Sequence, residues 1–140
     1  MRRFTEVEHT ADQAFVARGR DLRELFENAA HALLRLQSPG RSPAPAAAGR
    51  KPVNRKLAVE GCDPETLLVN WLNEVLFLQE TRGEAYHDCK VEAVSSTSIQ
   101  AIVTGCKNRL AGRLVKAVTF HNLKIELVSG EYRATLVLDV

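Results

Sequence analysis

The chain has 140 residues, 45% hydrophobic and 26% charged, enough for one globular domain with a real core; a disordered tail, a collagen-like rod and a disulfide mini-protein are excluded. Nineteen Lys+Arg against 17 Asp+Glu leave a formal net charge of +2, too weak a field for non-specific nucleic-acid binding, so any RNA role is local or indirect. Cys62, Cys89 and Cys106 are odd in number and widely spaced, with no Cys-x-x-Cys pair, which predicts a reducing, cytoplasmic compartment.

The start, Met1-Arg2-Arg3, runs at once into Glu6 and Glu8 without the apolar stretch of a secretory signal. No apolar run reaches the ~20 residues needed to span a bilayer. A polar cluster, Glu6 to Asp12, precedes a short strand predicted over Gln13 to Ala17. Asp21 as N-cap and Glu24 three positions later then form a capping-box signal. Behind it Leu22, Leu25, Phe26, Ala29 and Leu33 fall at helical spacing, and the helix is expected to stop near Gln37. From Ser38 to Pro52 the sequence reads SPGRSPAPAAAGRKP, with four of the five prolines and almost nothing to bury. It is read as a flexible surface insertion in a single domain spanning 1–140, because closing a longer loop adds only ~0.6 kcal/mol per doubling of its length.

A strand follows over Val53 to Val59. Asp63-Pro64-Glu65 then opens a second helix with an N-cap, a proline at the first position and a carboxylate at the positive dipole end. Its continuation, TLLVNWLNEVLFLQE, is apolar almost all round, so it is expected to be the central helix. Further strands are predicted over His87 to Val94, Ile99 to Thr104 and Lys116 to Phe120. Last comes a hairpin, LKIELV and YRATLVLDV, joined through Ser129-Gly130-Glu131. Two helices and a mostly antiparallel sheet of six or seven strands predict an α+β fold, a two-layer sandwich with both helices on one sheet face.

Three places carry chemistry that packing does not require. Glu6 to Asp12 gathers glutamate, histidine and aspartate, types that bind hard metals or exchange protons, although a solvated turn is the simpler account of that segment alone. Asp139-Val140 closes the sequence, so a side-chain and a terminal carboxylate are expected side by side. In water that repulsion is only about 1 kcal/mol at ~4 Å, so it does not by itself demand a cation. Lys116 to His121 lies just after Lys107, Arg109 and Arg113, a basic stretch that reads equally as a solvated edge or a partner-binding surface. His87-Asp88-Cys89 with Cys106 lacks zinc spacing and reads as core packing. No phosphate loop, nucleophile elbow or His-Glu-x-x-His motif is present, which argues against a nucleotide-using enzyme or a conventional hydrolase.

Glu8-His9-Thr10-Ala11-Asp12, LRELFENAAHAL, LLVNWLNEVLF, KAVTFH and Leu138-Asp139-Val140 occur in this order. Together they resemble the archease family over nearly the whole chain. Only the Ser38 to Pro52 insertion looks idiosyncratic, and Asn70 stands where aspartate is the more usual residue. The resemblance implies a small α+β protein that is not itself a catalyst. It assists a GTP-dependent RNA ligase that joins tRNA halves through a 3′-phosphate or 2′,3′-cyclic phosphate end, promoting guanylylation of the ligase's histidine and repeated turnover, and meets RNA only through that partner. It implies a divalent cation, calcium first and magnesium second, held by Asp12, Asp139 and Val140, the last through a terminal or main-chain oxygen, with His9 beside it. Lys116 and His121 are implied to face the ligase. The rival role for such a protein is chaperone or modulator of RNA-modifying enzymes such as tRNA methyltransferases.

Overall fold

In the computed structural model, residues 4–8, 13–37, 52–107, 115–120 and 123–139 are described, 4–8 by backbone alone. They form two helices and eight strands in two antiparallel sheets. The larger sheet is built from β1 (Phe4–Glu8), β2 (Gln13–Gly19), β8 (Glu131–Asp139) and β6 (Ala117–Thr119) in that spatial order, with β7 (Ile125–Val128) also pairing β8. The smaller sheet runs β3 (Pro52–Glu60), β5 (Ser98–Lys107), β4 (Glu84–Val94). The expected α+β class holds, with the strands divided between two sheets. Helix α1 (Leu22–Gln37) packs on β2, β8 and β4, and α2 (Pro64–Arg82) on β3, β4, β5 and β6, so each helix touches both sheets.

The helix ends follow their sequence signals. Glu24 N–H donates to Asp21 Oδ1 at 2.8 Å. The return arm reaches one residue further back than a standard capping box, since Arg20 N–H donates to Glu24 Oε1 at 3.1 Å. In α2, Asp63 is extended and accepts from Thr66 N–H at 2.7 Å, a bond that also holds its carboxyl below the usual carboxylate range. Gly83, left-handed at φ 61°, closes the other end by donating to Gln79 O. The buried stripe of α1 is Leu25, Phe26, Ala29, Ala30, Ala32, Leu33 and Leu34. Its small residues let α2 approach, and Trp71 Nε1 donates to Phe26 O at 3.1 Å.

The core is continuous across both sheets, from Phe15 on β2 through Trp71 and Leu72 on α2 to Leu136 and Leu138 on β8. Along β8, Ala134, Leu136 and Leu138 are buried while Arg133, Thr135 and Asp139 are exposed, the period-2 alternation of a sheet with one wet face. Cys89 and Cys106 are buried, as core packing predicts, and Cys62 is exposed; none of the three is in a disulfide. Phe77 departs from the expected all-round burial of α2, with 54% of its surface exposed.

Boundaries moved for identifiable reasons. Glu6 to Glu8 belong to β1 rather than to a turn, because they pair with Phe15, Ala14 and Gln13. β4 starts at Glu84, three residues before the predicted His87, because Gly83 turns the chain directly out of α2. The last hairpin turns on Ser129 (φ 53°) and Gly130 (φ 78°) alone, with Val128 opposite Glu131, so Glu131 is a strand residue. Two consecutive left-handed residues match the twist of the flanking strands. The proposed insertion lies outside the described residues except for Pro52, which opens β3.

Candidate functional site

One end of the larger sheet collects the C-terminal end of β8 and the starts of β2 and β6. Gln13 of β2 pairs with Leu138, and Ala117 of β6 pairs with Asp139. Lys116 N–H donates to the Asp139 carbonyl at 2.8 Å. Glu8 and Gln13, which flank positions 9–12, are themselves a paired couple, so that segment leaves and re-enters the sheet at this same end. Of the six residues singled out in the sequence, Asp139 and Lys116 are therefore brought together, both with exposed side chains. His9, Asp12, His121 and Val140 lie outside the described residues.

The stretch carrying Lys116 has little regular pairing, and the helices hold it. Val115 N–H donates to Gln37 Oε1 at 2.7 Å and Ile125 N–H to Glu65 Oε2 at 3.1 Å. Between them, Asn73 accepts from Val118 N–H at 2.8 Å and donates to Val118 O at 2.9 Å. Val115, Val118 and Leu123 point into the core, whereas Phe120 is 55% exposed. Asn73 lies in the LLVNWLNEVLF run of α2, where a polar residue inside a strongly apolar helical stretch is the signal the sequence offers for it.

Asp139 brings carboxylate oxygens to this end of the sheet, donors that suit a hard cation such as calcium or magnesium and not zinc, while Asp12 and Val140, the other ligands the resemblance implies, lie outside the described residues. Among the described residues no group of three His, Cys, Asp or Glu is arranged to hold a metal. In particular, His87-Asp88-Cys89 is no zinc site. Cys89 packs in the core with its thiol toward Glu27 O at 3.7 Å, and Asp88 faces His31 Nε2 at 3.4 Å.

Among the described residues the most perturbed acid sits elsewhere, in the smaller sheet. Glu84 has a fully buried side chain, and its two oxygens accept from Arg55 Nε at 3.0 Å and Nη2 at 2.6 Å and from Tyr86 Oη at 2.8 Å. Lys107 Nζ approaches at 3.4 Å. The Arg55 fork outweighs the cost of burial and holds the carboxyl at about 2. Burial, then the hydrogen bond to Glu84 and its charge, pushes the Tyr86 phenol well above its ordinary value. The cluster ties β3, β4 and β5 together and engages Lys107, which leaves that lysine a structural partner as well as a member of the predicted basic edge. Arg109 and Arg113 lie outside the described residues. No helix among the described residues is long and apolar enough to cross a membrane.

Residues 4–140 match the family model of the Archease protein family. The chain is 34% identical over 142 residues to the protein archease of Archaeoglobus fulgidus, covering 96% of each chain. To that of Pyrococcus furiosus it is 33% identical over 149 residues, covering both chains fully. Among solved structures, protein 1598 of Methanobacterium thermoautotrophicum is 30% identical with a TM-score of 0.73 over the whole of both chains. An archease of Thermotoga maritima, called a possible chaperone, shares the fold at 20% identity and a TM-score of 0.63, covering 100% of this chain and 98% of that one.

Proposed function

This chain belongs to the archease family, and we propose that it is an accessory protein that activates a GTP-dependent RNA ligase in tRNA splicing or RNA repair. It promotes guanylylation of the ligase's histidine and multiple turnover without being the ligase. The observation that carries the reading is the meeting of Lys116 and Asp139, from two separate motifs, at one sheet end through the 2.8 Å bond between their backbones. Asp12, Asp139 and a main-chain oxygen of Val140 would hold the divalent cation, calcium or magnesium. When bound, the cation would supply the counter-charge that orders these clustered carboxylates into an acidic tip able to enter the ligase's active-site mouth. Asp139 is fixed for that task by its ladder to β6, and His9 stands in the same motif as Asp12. Lys116 and His121 offer the ligase a cation and a titratable imidazole. The protein works in the cytoplasm, where its three cysteines, none in a disulfide, remain thiols.

The test is single- and multiple-turnover RNA ligation with the purified ligase, with and without this protein. Guanylylation is expected to accelerate. Asp12→Ala and Asp139→Asn are each expected to abolish multiple turnover while the melting temperature stays within a few degrees. Unchanged turnover in both variants refutes the assignment. A second reading, chaperone or modulator of RNA-modifying enzymes such as tRNA methyltransferases, is favoured by the exposed Phe77, Phe120 and Leu127. It predicts suppression of client aggregation that is indifferent to Asp12 and Asp139.

A further inference from the structure

β6 is three residues long and, among the described residues, has a strand on one side only, with Ala117, Val118 and Thr119 opposite Asp139, Leu138 and Val137 of β8. In an antiparallel ladder every second residue turns both its N–H and its C=O outward, and on an edge strand those groups need another partner. Val118 is such a residue, and at 3% exposure water does not serve it. The Asn73 amide takes both groups, with its oxygen 2.8 Å from the N–H and its nitrogen 2.9 Å from the C=O. One planar amide, offering an acceptor and a donor together, reproduces the two bonds a neighbouring strand would make.

Three residues earlier, on the same face of α2, Asn70 donates to Glu60 O at 2.9 Å at the end of β3. The helix thus binds backbone of both sheets through two asparagines, but only Asn73 uses both ends of its amide, and only Asn73 grips the stretch that carries Lys116. Gln37 and Glu65 hold Val115 and Ile125 by one bond each, so they fix where the stretch begins and ends and leave its middle to Asn73.

We propose that Asn73 is a positioning residue for the partner-facing surface. It acts as a surrogate strand that pins β6 against β8 and keeps Lys116 in step with Asp139. The proposal rests on the reading that the Lys116–His121 stretch meets the ligase. A carboxylate at position 73 would still accept from Val118 N–H but would set an unprotonated oxygen against Val118 O. An aliphatic residue would leave both groups unpaired.

The experiment compares full-length wild type, Asn73→Asp and, as a control, Asn70→Ala. Two quantities are read: hydrogen exchange of the Val118 amide by NMR, and ligation by the purified ligase as a function of the concentration of this protein. In Asn73→Asp, Val118 exchange is expected to rise by about tenfold or more, the signature of local opening. The half-activating concentration should rise by about the same factor while the maximal rate is kept, because the loosened stretch must be ordered again at each encounter. Asn70→Ala should leave both quantities at wild-type values. A general loss of folded protein would instead raise the exchange of core amides in α1 and the smaller sheet along with that of Val118, and such a uniform rise overturns the local role.

The proposal is overturned if Val118 exchange in Asn73→Asp stays at the wild-type value. It is equally overturned if exchange rises while the half-activating concentration does not, or if Asn70→Ala shifts activation as far as Asn73→Asp. Should Asn73→Asp not fold, Asn73→Gln, which keeps donor and acceptor one methylene further out, is read in the same two assays. A rise in exchange without a rise in half-activating concentration overturns the proposal there too. Failure of the wild type to activate ligation at all refutes the ligase reading instead, and the exchange data still decide whether Asn73 pins β6.

Discussion

Replacing Glu84 by glutamine removes the charge of the buried acid and nearly preserves its shape. The native carboxyl is held at about 2 instead of 4.5 by the Arg55 fork, against the opposing cost of burial, with Tyr86 assisting. At 1.36 kcal/mol per pH unit, that difference favours the fold by about 3 kcal/mol at neutral pH. Arg55 and Lys107 keep part of their side chains in water, and solvent screening trims the figure to about 2 kcal/mol. Because the folded value is depressed, the contribution is complete above pH 4.5, shrinks as the unfolded chain takes up its proton, and is gone below about 2. Glu84→Gln has no such proton to take up. Urea unfolding of both proteins at several pH values should therefore show wild type more stable by about 2 kcal/mol at neutral pH, and the two should converge as pH falls through that window. A difference of equal size at both ends of the range refutes the electrostatic account and leaves only lost packing.

Gly105→Ala tests close approach rather than charge. A Cβ there would run into the carbonyl of Ala85 and stand 2.6 Å from Tyr86 Cα, so thermal melting should register a loss of more than about 2 kcal/mol. Ser129→Asn should do the opposite, because Ser129 sits at φ 53° and asparagine tolerates that region better. A gain of about 0.5 kcal/mol in urea unfolding is expected, with no change in the slope.

Local signals were well legible in the sequence because they need only neighbours. Asp21, Asp63 and Pro64 act within a few residues of themselves and work as their patterns say, and the last hairpin turns where expected, on Ser129-Gly130 without Glu131. Pairing between distant segments was less legible. Alternation along Leu136 and Leu138 tells which face is buried but not that Gln13 lies alongside, so the division into two sheets could not be read. Nothing in the sequence marks Glu84, because its partner Arg55 is remote in the chain and only the pairing of β3, β5 and β4 brings them together. At the candidate site, Asp139 and Lys116 were found through their motifs. Their contact is made by backbone groups, which carry no residue-type signal, and the Asn73 bonds to Val118 escape side-chain reasoning for the same reason.

The pairing of β2 with β8 also constrains how the chain folds. Residues 13–19 must wait for residues 131–139 before they gain their central neighbour, whereas β3, β4 and β5 are drawn from 52–107 and close around α2. Contacts of such long range are slow to form because the intervening chain must be ordered first. The smaller sheet with its helix is thus expected to assemble early and the larger sheet to close last. The end of β8 that carries Asp139 exists as a surface only once that closure is complete, so a chain released early from its ribosome or trapped as an intermediate would be structured in part and would lack that surface.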